Sequence, residues 1–221
     1  MSVLLIGSNG SMGKRYSAIF KSMGVPFYGM DKEHSNKEIF AAARAKYTNA
    51  ILIATPTDMH RDFLYEFADI KKPVLCEKPV IKRSMELSRI LDIYEKHKTP
   101  FNMVMQYSEL IDDDSSGETN YDYFRTGNDG LYWDCLQIIA LAESEFKLNN
   151  QSPIWNCTIN GKILSLSNMD RAYVKFIDRW LNGELKQSHK YLINIHKKVE
   201  DYINELSRNK SIDRNSGQVY Q

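Results

Sequence analysis

Short apolar runs alternate with amphipathic segments along the first half of the chain. The runs, which we predict to be β-strands, are residues 3–6, 26–30, 50–54, 74–76 and 101–105. The segments between them carry apolar side chains at helical spacing and cover residues 14–23, 36–46, 61–69 and 85–94. Apolar strands that alternate with helices are typical of a parallel sheet covered on both faces. We therefore predict a doubly wound α/β domain over residues 1–106.

The apolar pattern changes after residue 106, and we predict a small, reduced α+β domain over residues 107–221. Asn160-Gly161, between two apolar runs, is the strongest short signal there, because this pair favours a tight hairpin turn. The predicted elements are a loop at 111–130, a helix at 131–146, a hairpin at 154–167 and helices within 169–208. Asp112–Asp114 lie in the loop and indicate a solvated surface rather than a metal site.

The composition argues against several classes of partner. Twenty-nine basic residues against 28 acidic ones create no strong field for a polyanion, so nucleic acid and anionic membranes are not expected. No apolar run approaches the roughly 20 residues of a membrane-spanning helix, and no signal-peptide pattern opens the sequence. The three cysteines, Cys76, Cys135 and Cys157, are widely spaced and suggest neither disulfides nor zinc. We expect a cytoplasmic protein.

A glycine-rich turn joins the first predicted strand to the first helix. It reads Gly7, Ser8, Asn9, Gly10, Ser11, Met12 and Gly13, a relative of the G-x-G-x-x-G pattern with one extra residue. Glycine lets the backbone approach a pyrophosphate, while the helix N-terminus offers unpaired N–H groups. We predict that all seven residues bind a dinucleotide; the alternative is that the glycines join the strand to the helix for purely steric reasons. The following Lys14-Arg15 excludes a P-loop, which requires Gly-Lys-Ser/Thr.

The second predicted strand ends at an acidic residue, Asp31. At this position a carboxylate accepts hydrogen bonds from the adenosine ribose, which favours NAD over NADP. Lys32 follows directly and offers the alternative of attracting a 2′-phosphate. A third interpretation is that Asp31 and Lys32 only form a solvated turn.

Two further motifs follow predicted strands. Thr55-Pro56-Thr57, with His60 shortly after, comes after the third strand, and Glu77-Lys78-Pro79 comes after the fourth. Because the carboxyl ends of parallel strands meet at one edge of a sheet, both motifs should face one crevice. A residue before proline is held extended, so Lys78 is aimed by its backbone. Its ammonium could stabilise a developing alkoxide, or it could merely pair with a surface carboxylate.

Taken together, the three motifs resemble those of the Gfo/Idh/MocA family, the glucose-fructose oxidoreductases and inositol dehydrogenases, over roughly residues 1–106. The resemblance implies a Rossmann domain that binds NAD(P), with Thr55, Pro56, Thr57 and His60 near the dinucleotide. It places Glu77 and Lys78 beside the nicotinamide and the substrate. It also implies that Pro79 follows a cis peptide bond.

Residues 128–139 resemble a second-domain helix of this family that carries an aspartate and, four residues later, a histidine. Asp134 matches the aspartate, whereas Ile138 replaces the histidine and cannot exchange protons. Lys78 could carry proton transfer alone or with Asp134, or Tyr132 or a histidine from elsewhere could substitute. Loss of dehydrogenase activity is the remaining alternative.

The resemblance implies an NAD(P)-dependent oxidoreductase that acts on a small, sugar-like or polyol substrate, with Lys78 and Asp134 as catalytic residues. The alternative is a dinucleotide-binding sensor or scaffold protein without turnover. The reduced second domain suggests either a small substrate or a site completed by a partner subunit in a homo-oligomer.

Overall fold

A five-stranded parallel sheet forms the first half of the chain in the computed structural model, which describes residues 1–111, 116–123, 135–142, 146–151 and 156–215. The strands are β1 (Val3–Ile6), β2 (Phe27–Met30), β3 (Ala50–Ile53), β4 (Val74–Cys76) and β5 (Phe101–Met103). The helices between them are α1 (Ser11–Ser22), α2 (Asn36–Arg44), α3 (Thr57–Phe67) and α4 (Ser84–His97). The predicted doubly wound α/β fold is confirmed.

Strand β1 has β2 on one side and β3 on the other, in the order β2-β1-β3-β4-β5. All four pairs of neighbouring strands are parallel. The chain therefore reverses its direction of travel across the sheet after β2. Such a reversal opens a crevice at the carboxyl ends of the central strands, which is where open α/β sheets bind ligands.

Every residue of β1, β3 and β4 is buried. Helices lie against both faces of a parallel sheet, so its central strands have no face left for polar side chains. This burial explains why the three strands appear in the sequence as uninterrupted apolar runs.

A second, four-stranded sheet follows, in the order β7-β6-β8-β9. Its strands are β6 (Thr119–Tyr123), β7 (Phe146–Gln151), β8 (Asn156–Ile159) and β9 (Lys162–Ile163). The helices of this region are α5, described over residues 135–141, α6 (Met169–Leu181) and α7 (His189–Asn215). Two short 3₁₀ helices, Gln106–Glu109 and Leu166–Asn168, precede the sheet and α6.

The predicted loop over residues 111–130 is wrong at β6. Thr119 and Tyr121 are buried, whereas Asn120 and Asp122, which alternate with them, are half-buried. This alternation is that of a strand with one face against a core. Asn and Asp are rare in strands, so the polar composition of residues 119–123 indicated a loop instead of a strand.

The predicted helix over residues 131–146 is wrong at its end. Helix α5 ends at residue 141 and β7 begins at Phe146. In β7 the half-buried Phe146 and Leu148 flank the exposed Lys147, which is again a strand alternation. Among its described residues the second region therefore has four strands, where the sequence indicated only the two of the hairpin.

The hairpin predicted around Asn160-Gly161 is confirmed. These residues join β8 to β9 and have φ angles of 50° and 75°. Positive φ at both central positions is the geometry of a two-residue hairpin turn, and it explains the choice of residues. The second strand is only Lys162–Ile163, shorter than predicted, and the chain turns at once toward α6.

Helix α7 packs against α4 of the first sheet, and its buried side chains Leu192, Ile195, Val199 and Ile203 form one face. Glu200 Oε2 accepts hydrogen bonds from Ser84 N at 3.0 Å and Ser84 Oγ at 2.6 Å, at the first residue of α4. Helix α7 thus stabilises the first half of the fold. Over the described residues, no helix is both long and apolar enough to cross a membrane.

His196 should make the stability of the fold depend on pH. Burial in α7 lowers the pKa of His196 from its ordinary value of 6.5 to about 4. The unfolded chain then takes up a proton at a higher pH than the folded chain. The contribution of neutral His196 to the free energy of unfolding is therefore complete above pH 6.5 and is lost as the pH falls toward 4.

We expect the free energy of unfolding to fall by about 2 kcal/mol between pH 7 and pH 5 because of this one residue. His196→Leu should remove that part of the pH dependence, as measured by urea denaturation at both pH values. Ile195→Val, on the same helix, is the control and should change stability equally at both. An unchanged pH dependence in His196→Leu would contradict the role given to His196.

Candidate functional site

The glycine turn lies where the carboxyl end of β1 meets α1. Gly7 has φ +84°, and a Cβ there would lie 2.7 Å from the carbonyl carbon of Ala54. A Cβ on Gly13 would lie 2.0 Å from the Gly7 carbonyl oxygen. At both positions a side chain would clash with nearby backbone atoms, so only glycine fits. Gly10 is the N-cap of α1 and makes no side-chain cap, so the first amides of the helix remain available to an anion.

A cavity of about 520 Å³ opens beside this turn. Its wall combines residues from the predicted motifs, namely Gly7, Asn9, Gly10, Asp31, Lys32, Thr55 and Pro56. Ile39, Met59 and Phe63 supply an apolar part of the wall. Ser8, Ser11 and Met12 belong to the same turn and helix start, and Thr57 is the first residue of α3. The structure therefore brings together the ends of β1, β2 and β3 around one space.

The cavity wall suits the adenosine and pyrophosphate parts of a dinucleotide. The Thr55 hydroxyl is buried and has no hydrogen-bond partner among the described residues. A buried hydroxyl without a partner costs free energy unless a ligand or water meets it. Together with the helix N-terminus and the apolar wall, it gives the cavity both polar and apolar partners for such a ligand.

Asp31 is fixed in the wall by two backbone amides. Asn9 N donates to Asp31 Oδ2 at 2.7 Å, and Lys32 N donates to Asp31 Oδ1 at 2.7 Å. The Asn9 side chain donates to Glu33 Oε1 at 3.2 Å, which brings a second carboxylate to this end of the cavity. The glycine turn and the end of β2 thus form one polar cluster.

Glu77 and Lys78 lie at the end of β4 and are almost fully buried, with exposures of 1% and 6%. The Tyr16 hydroxyl donates to Glu77 Oε1, and Lys78 N donates to Glu77 Oε2 at 3.0 Å. Burial and the nearby Glu77 raise the pKa of Tyr16, so its hydroxyl stays protonated and serves as the donor. The Lys78–Pro79 peptide bond is cis, as predicted.

His60 connects the two loops at this edge of the sheet. Its Nε2 lies 2.8 Å from the Thr55 carbonyl oxygen, and its Nδ1 lies 3.1 Å from the carbonyl oxygens of Pro79 and Val80. Burial lowers the pKa of His60, which opposes the effect of these carbonyl contacts. The ring is fully buried and contacts the backbone of both loops.

Helix α6 closes another side of the site. Tyr173 packs edge-on against Tyr16, with 5.9 Å between ring centroids. Its hydroxyl accepts a hydrogen bond from Gln106 Nε2 at 2.8 Å, and the Arg15 guanidinium lies 5.1 Å from its ring centroid. Arg15 Nε also lies 3.3 Å from Asp170 Oδ1. The glycine-turn helix and α6 are therefore in direct contact.

The sequence did not indicate Tyr16, Gln106 and Tyr173 as site residues. Tyr16 and Tyr173 occupy the apolar faces of their helices, so helical spacing alone predicts only core side chains. Their hydroxyl partners lie 61 and 67 residues away in the sequence. No local signal could have found such long-range pairs.

The predicted catalytic residue Asp134, the alternative Tyr132 and the triplet Asp112–Asp114 lie outside the described residues. Ile138, at the position of the expected histidine, is fully buried in α5. Its neighbour Gln137 accepts a hydrogen bond from Tyr107 N at 3.0 Å through Oε1. Within the part of the chain that the structure describes, no group of three His, Cys, Asp or Glu side chains could hold a metal ion.

The sequence comparison agrees with this geometry. The model of the GFO_IDH_MocA family, described as an oxidoreductase family with an NAD-binding Rossmann fold, matches residues 5–105. These residues contain the glycine turn, the loop after β3 and the Glu-Lys-Pro segment. No curated protein matches the chain.

Solved structures with the same fold cover most of the chain. An oxidoreductase of the Gfo/Idh/MocA family from Vibrio cholerae is 11% identical with a TM-score of 0.68, over 96% of this chain and 99% of that one. The WlbA (WbpB) dehydrogenase from Thermus thermophilus, solved with NAD and UDP-GlcNAcA, is 11% identical with a TM-score of 0.65, over 92% and 94%.

Biliverdin reductase from Synechocystis sp. PCC 6803, solved with biliverdin and NADP+, is 10% identical with a TM-score of 0.61, over 92% and 98% of the two chains. At such low identities these structures establish the shared fold, while their different ligands leave the substrate open.

Gly13→Ala tests the close approach in the glycine turn. The added methyl group would meet the backbone of Gly7 and Ser8, which cannot move aside as a flexible side chain can. We expect a loss of about 3 kcal/mol or more in the free energy of unfolding, measured by chemical denaturation. Gly10→Ala is the matched control, because its methyl group would lie 3.4 Å from its nearest neighbour, the Gly7 oxygen. Equal stability losses in both variants would contradict this interpretation.

Proposed function

We propose that the protein, whose residues 5–105 match the model of the Gfo/Idh/MocA family of oxidoreductases, transfers hydride between a nicotinamide dinucleotide, NAD(H) or NADP(H), and a small, sugar-like or polyol substrate. The observation that carries the proposal is the position of Lys78. Its backbone is fixed at the sheet edge that also carries the cavity beside the glycine turn, one strand away from Thr55.

The glycine turn and the first amides of α1 would hold the pyrophosphate, from Gly7 through Gly13. Asp31 would accept hydrogen bonds from the ribose, and the Thr55 hydroxyl would bind along the dinucleotide. A bound nicotinamide supplies or accepts the hydride. The protein's own contribution is to orient the two reactants and to exclude water from them.

Lys78 would bind the substrate oxygen, stabilise negative charge on it and hold or release its proton. Glu77 fixes the Lys78 backbone, and Tyr16 in turn fixes Glu77. A lysine that is 6% exposed has limited access to water, and this strengthens its electrostatic effect on a neighbouring oxygen. An orienting role for Asp134 stays a prediction.

We also propose that NAD(H) is preferred over NADP(H). The carboxylates of Asp31 and Glu33 both accept hydrogen bonds from Asn9, at one end of the cavity. Two negative charges at this end disfavour a 2′-phosphate, whereas Lys32 in the same wall favours it. The balance of charge supports NAD(H).

A non-catalytic dinucleotide sensor or scaffold is the second candidate. The observation that favours it is Ile138, a fully buried side chain without proton chemistry where the family resemblance expects a histidine. Binding of NADH without oxidation by any carbonyl sugar would favour this candidate over the enzyme.

The division of the chain at residue 106 into a dinucleotide-binding domain and a reduced second domain is part of the proposal. The contact between Tyr16 and Tyr173 supports a role of the second region in closing the site. A cytoplasmic location and a homo-oligomer stay predictions.

Asp31→Ser tests the dinucleotide preference. Loss of the carboxylate removes charge-assisted hydrogen bonds to the ribose and lowers the repulsion of a 2′-phosphate. We expect NADH to bind about 10-fold more weakly and NADPH to bind more tightly, by calorimetric titration. The control is Asp92→Ser, which alters an exposed carboxylate on α4. Unchanged affinities for both dinucleotides would exclude Asp31 from the binding site.

Lys78→Met tests the catalytic role of this lysine, because it keeps the length of the side chain and removes its charge. We expect the rate of NADH oxidation with a panel of keto-sugars, followed at 340 nm, to fall by about 100-fold or more. The calorimetric affinity for NADH should change little. Lys96→Met, at an exposed position of α4, is the control. Turnover at the wild-type rate in Lys78→Met would remove Lys78 from the mechanism.

A further inference from the structure

A second cavity, of about 320 Å³, lies in the second region of the chain. Its wall combines residues from the 3₁₀ helix Gln106–Glu109, from β9 and from the first two turns of α6. None of its described lining residues also lines the cavity beside the glycine turn, and neither Glu77 nor Lys78 is among them. Its volume is at the lower end of the range for small-molecule sites, which indicates a ligand smaller than a dinucleotide.

Cationic side chains dominate the charge of this wall. Lys162 from β9 and Arg171 and Lys175 from α6 line the cavity, against the single carboxylate of Glu109 among its described lining residues. Arg171 and Lys175 are four residues apart in α6, so they lie on one face of the helix. The wall therefore carries an excess of positive charge, which favours an anionic ligand.

The Glu109 carboxylate is already neutralised from α6. Its side chain is only 1% exposed, with Arg179 Nη1 at 2.6 Å from Oε1 and Lys175 Nζ at 3.1 Å from Oε2. A buried carboxylate needs such partners, and here the pairing also holds Lys175 in place beside the cavity. The ammonium of Lys175 is thus oriented before a ligand arrives, which reduces the entropy lost on binding.

Arg171 lines the cavity without such a partner. Its guanidinium makes no hydrogen bond or ion pair with any residue that the structure describes. An arginine fork can bind two oxygens of one anionic group at once. Asn168, the residue before α6, adds a side-chain amide to the same wall. The cavity therefore offers several hydrogen-bond donors, while its described carboxylate is engaged elsewhere.

A phosphate group suits this wall better than a single carboxylate does. A phosphate monoester carries about two negative charges at neutral pH, and its three terminal oxygens accept hydrogen bonds. These charges match the excess of cations, and the oxygens match the donors of Arg171 and Lys175. Leu110 and Leu164 also line the cavity, which suits a short carbon skeleton attached to the phosphate.

From this combination of volume, charge and donors we infer that the cavity between the 3₁₀ helix Gln106–Glu109, β9 and α6 binds a small phosphorylated molecule. Arg171 and Lys175 bind the phosphate, and Glu109 positions Lys175. The inference goes beyond the proposed function and does not depend on it, because the two cavities share no described lining residue.

The test titrates the full chain, without dinucleotide, with propyl phosphate and separately with malonate, by calorimetry. Propyl phosphate should bind the wild type and should bind Arg171→Met at least about 10-fold more weakly, because a charge-assisted hydrogen bond is lost. Malonate, which carries carboxylates instead of phosphate, should bind the wild type more weakly than propyl phosphate does. Arg171 is exposed, so Arg171→Met should keep the melting temperature of the wild type.

Arg89→Met is the matched control. Arg89 is also an exposed arginine on a helix, α4, but it lines neither cavity. This variant should leave the affinity for propyl phosphate unchanged. Lys175→Met, on the same face of α6 as Arg171, should weaken the probe and gives a second, independent variant.

Equal affinity of wild type and Arg171→Met would place the probe elsewhere, for example at the glycine turn, and would overturn the inference. Equal losses in Arg171→Met and Arg89→Met, or malonate binding as tight as that of propyl phosphate, would also overturn it. A cavity neutralised by the chain's own Asp112–Asp114, which follow Ile111 in the sequence, would not bind propyl phosphate, and that result too would contradict the inference.

A titration with NADH separates this inference from the proposed function. Arg171→Met should bind NADH as the wild type does, and a parallel loss of NADH affinity would show that the cavity is not a separate site. Absence of NADH binding in the wild type would overturn the proposed function alone, since the propyl phosphate titrations still decide the inference.

Discussion

The buried carboxylate of Glu77 is the constraint around which the candidate site is arranged. A carboxylate in a protein interior is tolerated only when hydrogen bonds or charges compensate for its lost water. Here Tyr16 from α1 and the backbone of Lys78 supply hydrogen bonds to its two oxygens. One buried group thus links the helix that begins at the glycine turn to the lysine at the end of β4.

The glycine turn determines where this link can form. Gly13 lets α1 start directly against the Gly7 carbonyl, and this start carries Tyr16 to the end of β4. On its other side Tyr16 meets Tyr173, so the helix α6 of the second region is placed by the same contact. Tyr16 therefore connects the close packing at Gly13 to the buried Glu77 carboxylate and to helix α6.

The sequence predicted those features that have a local cause. Strands β1, β3 and β4 are buried on both faces, so their composition alone identified them. The glycine turn came from a motif with a definite residue pattern, whereas the cis peptide bond before Pro79 was implied by the family resemblance. Strand β6 contains Asn and Asp, so its sequence resembled a loop, and β7 beyond Phe146 was assigned to no element. The partners of Glu77 and Gln106 are long-range contacts, which no local pattern specifies.

The burial of Ile138 shows why an acid–base side chain fits poorly at this position of α5. Its side chain fills the core of the second region, so a histidine there would have to bury two polar nitrogens or displace its neighbours. The neighbouring Gln137 instead accepts a hydrogen bond from the backbone N–H of Tyr107 through its amide oxygen. An amide can bind a hydroxyl but does not exchange protons near neutral pH. Neither Ile138 nor Gln137 can therefore transfer a proton, and in the proposed mechanism this step falls to Lys78 at the end of β4, where Glu77 holds its backbone.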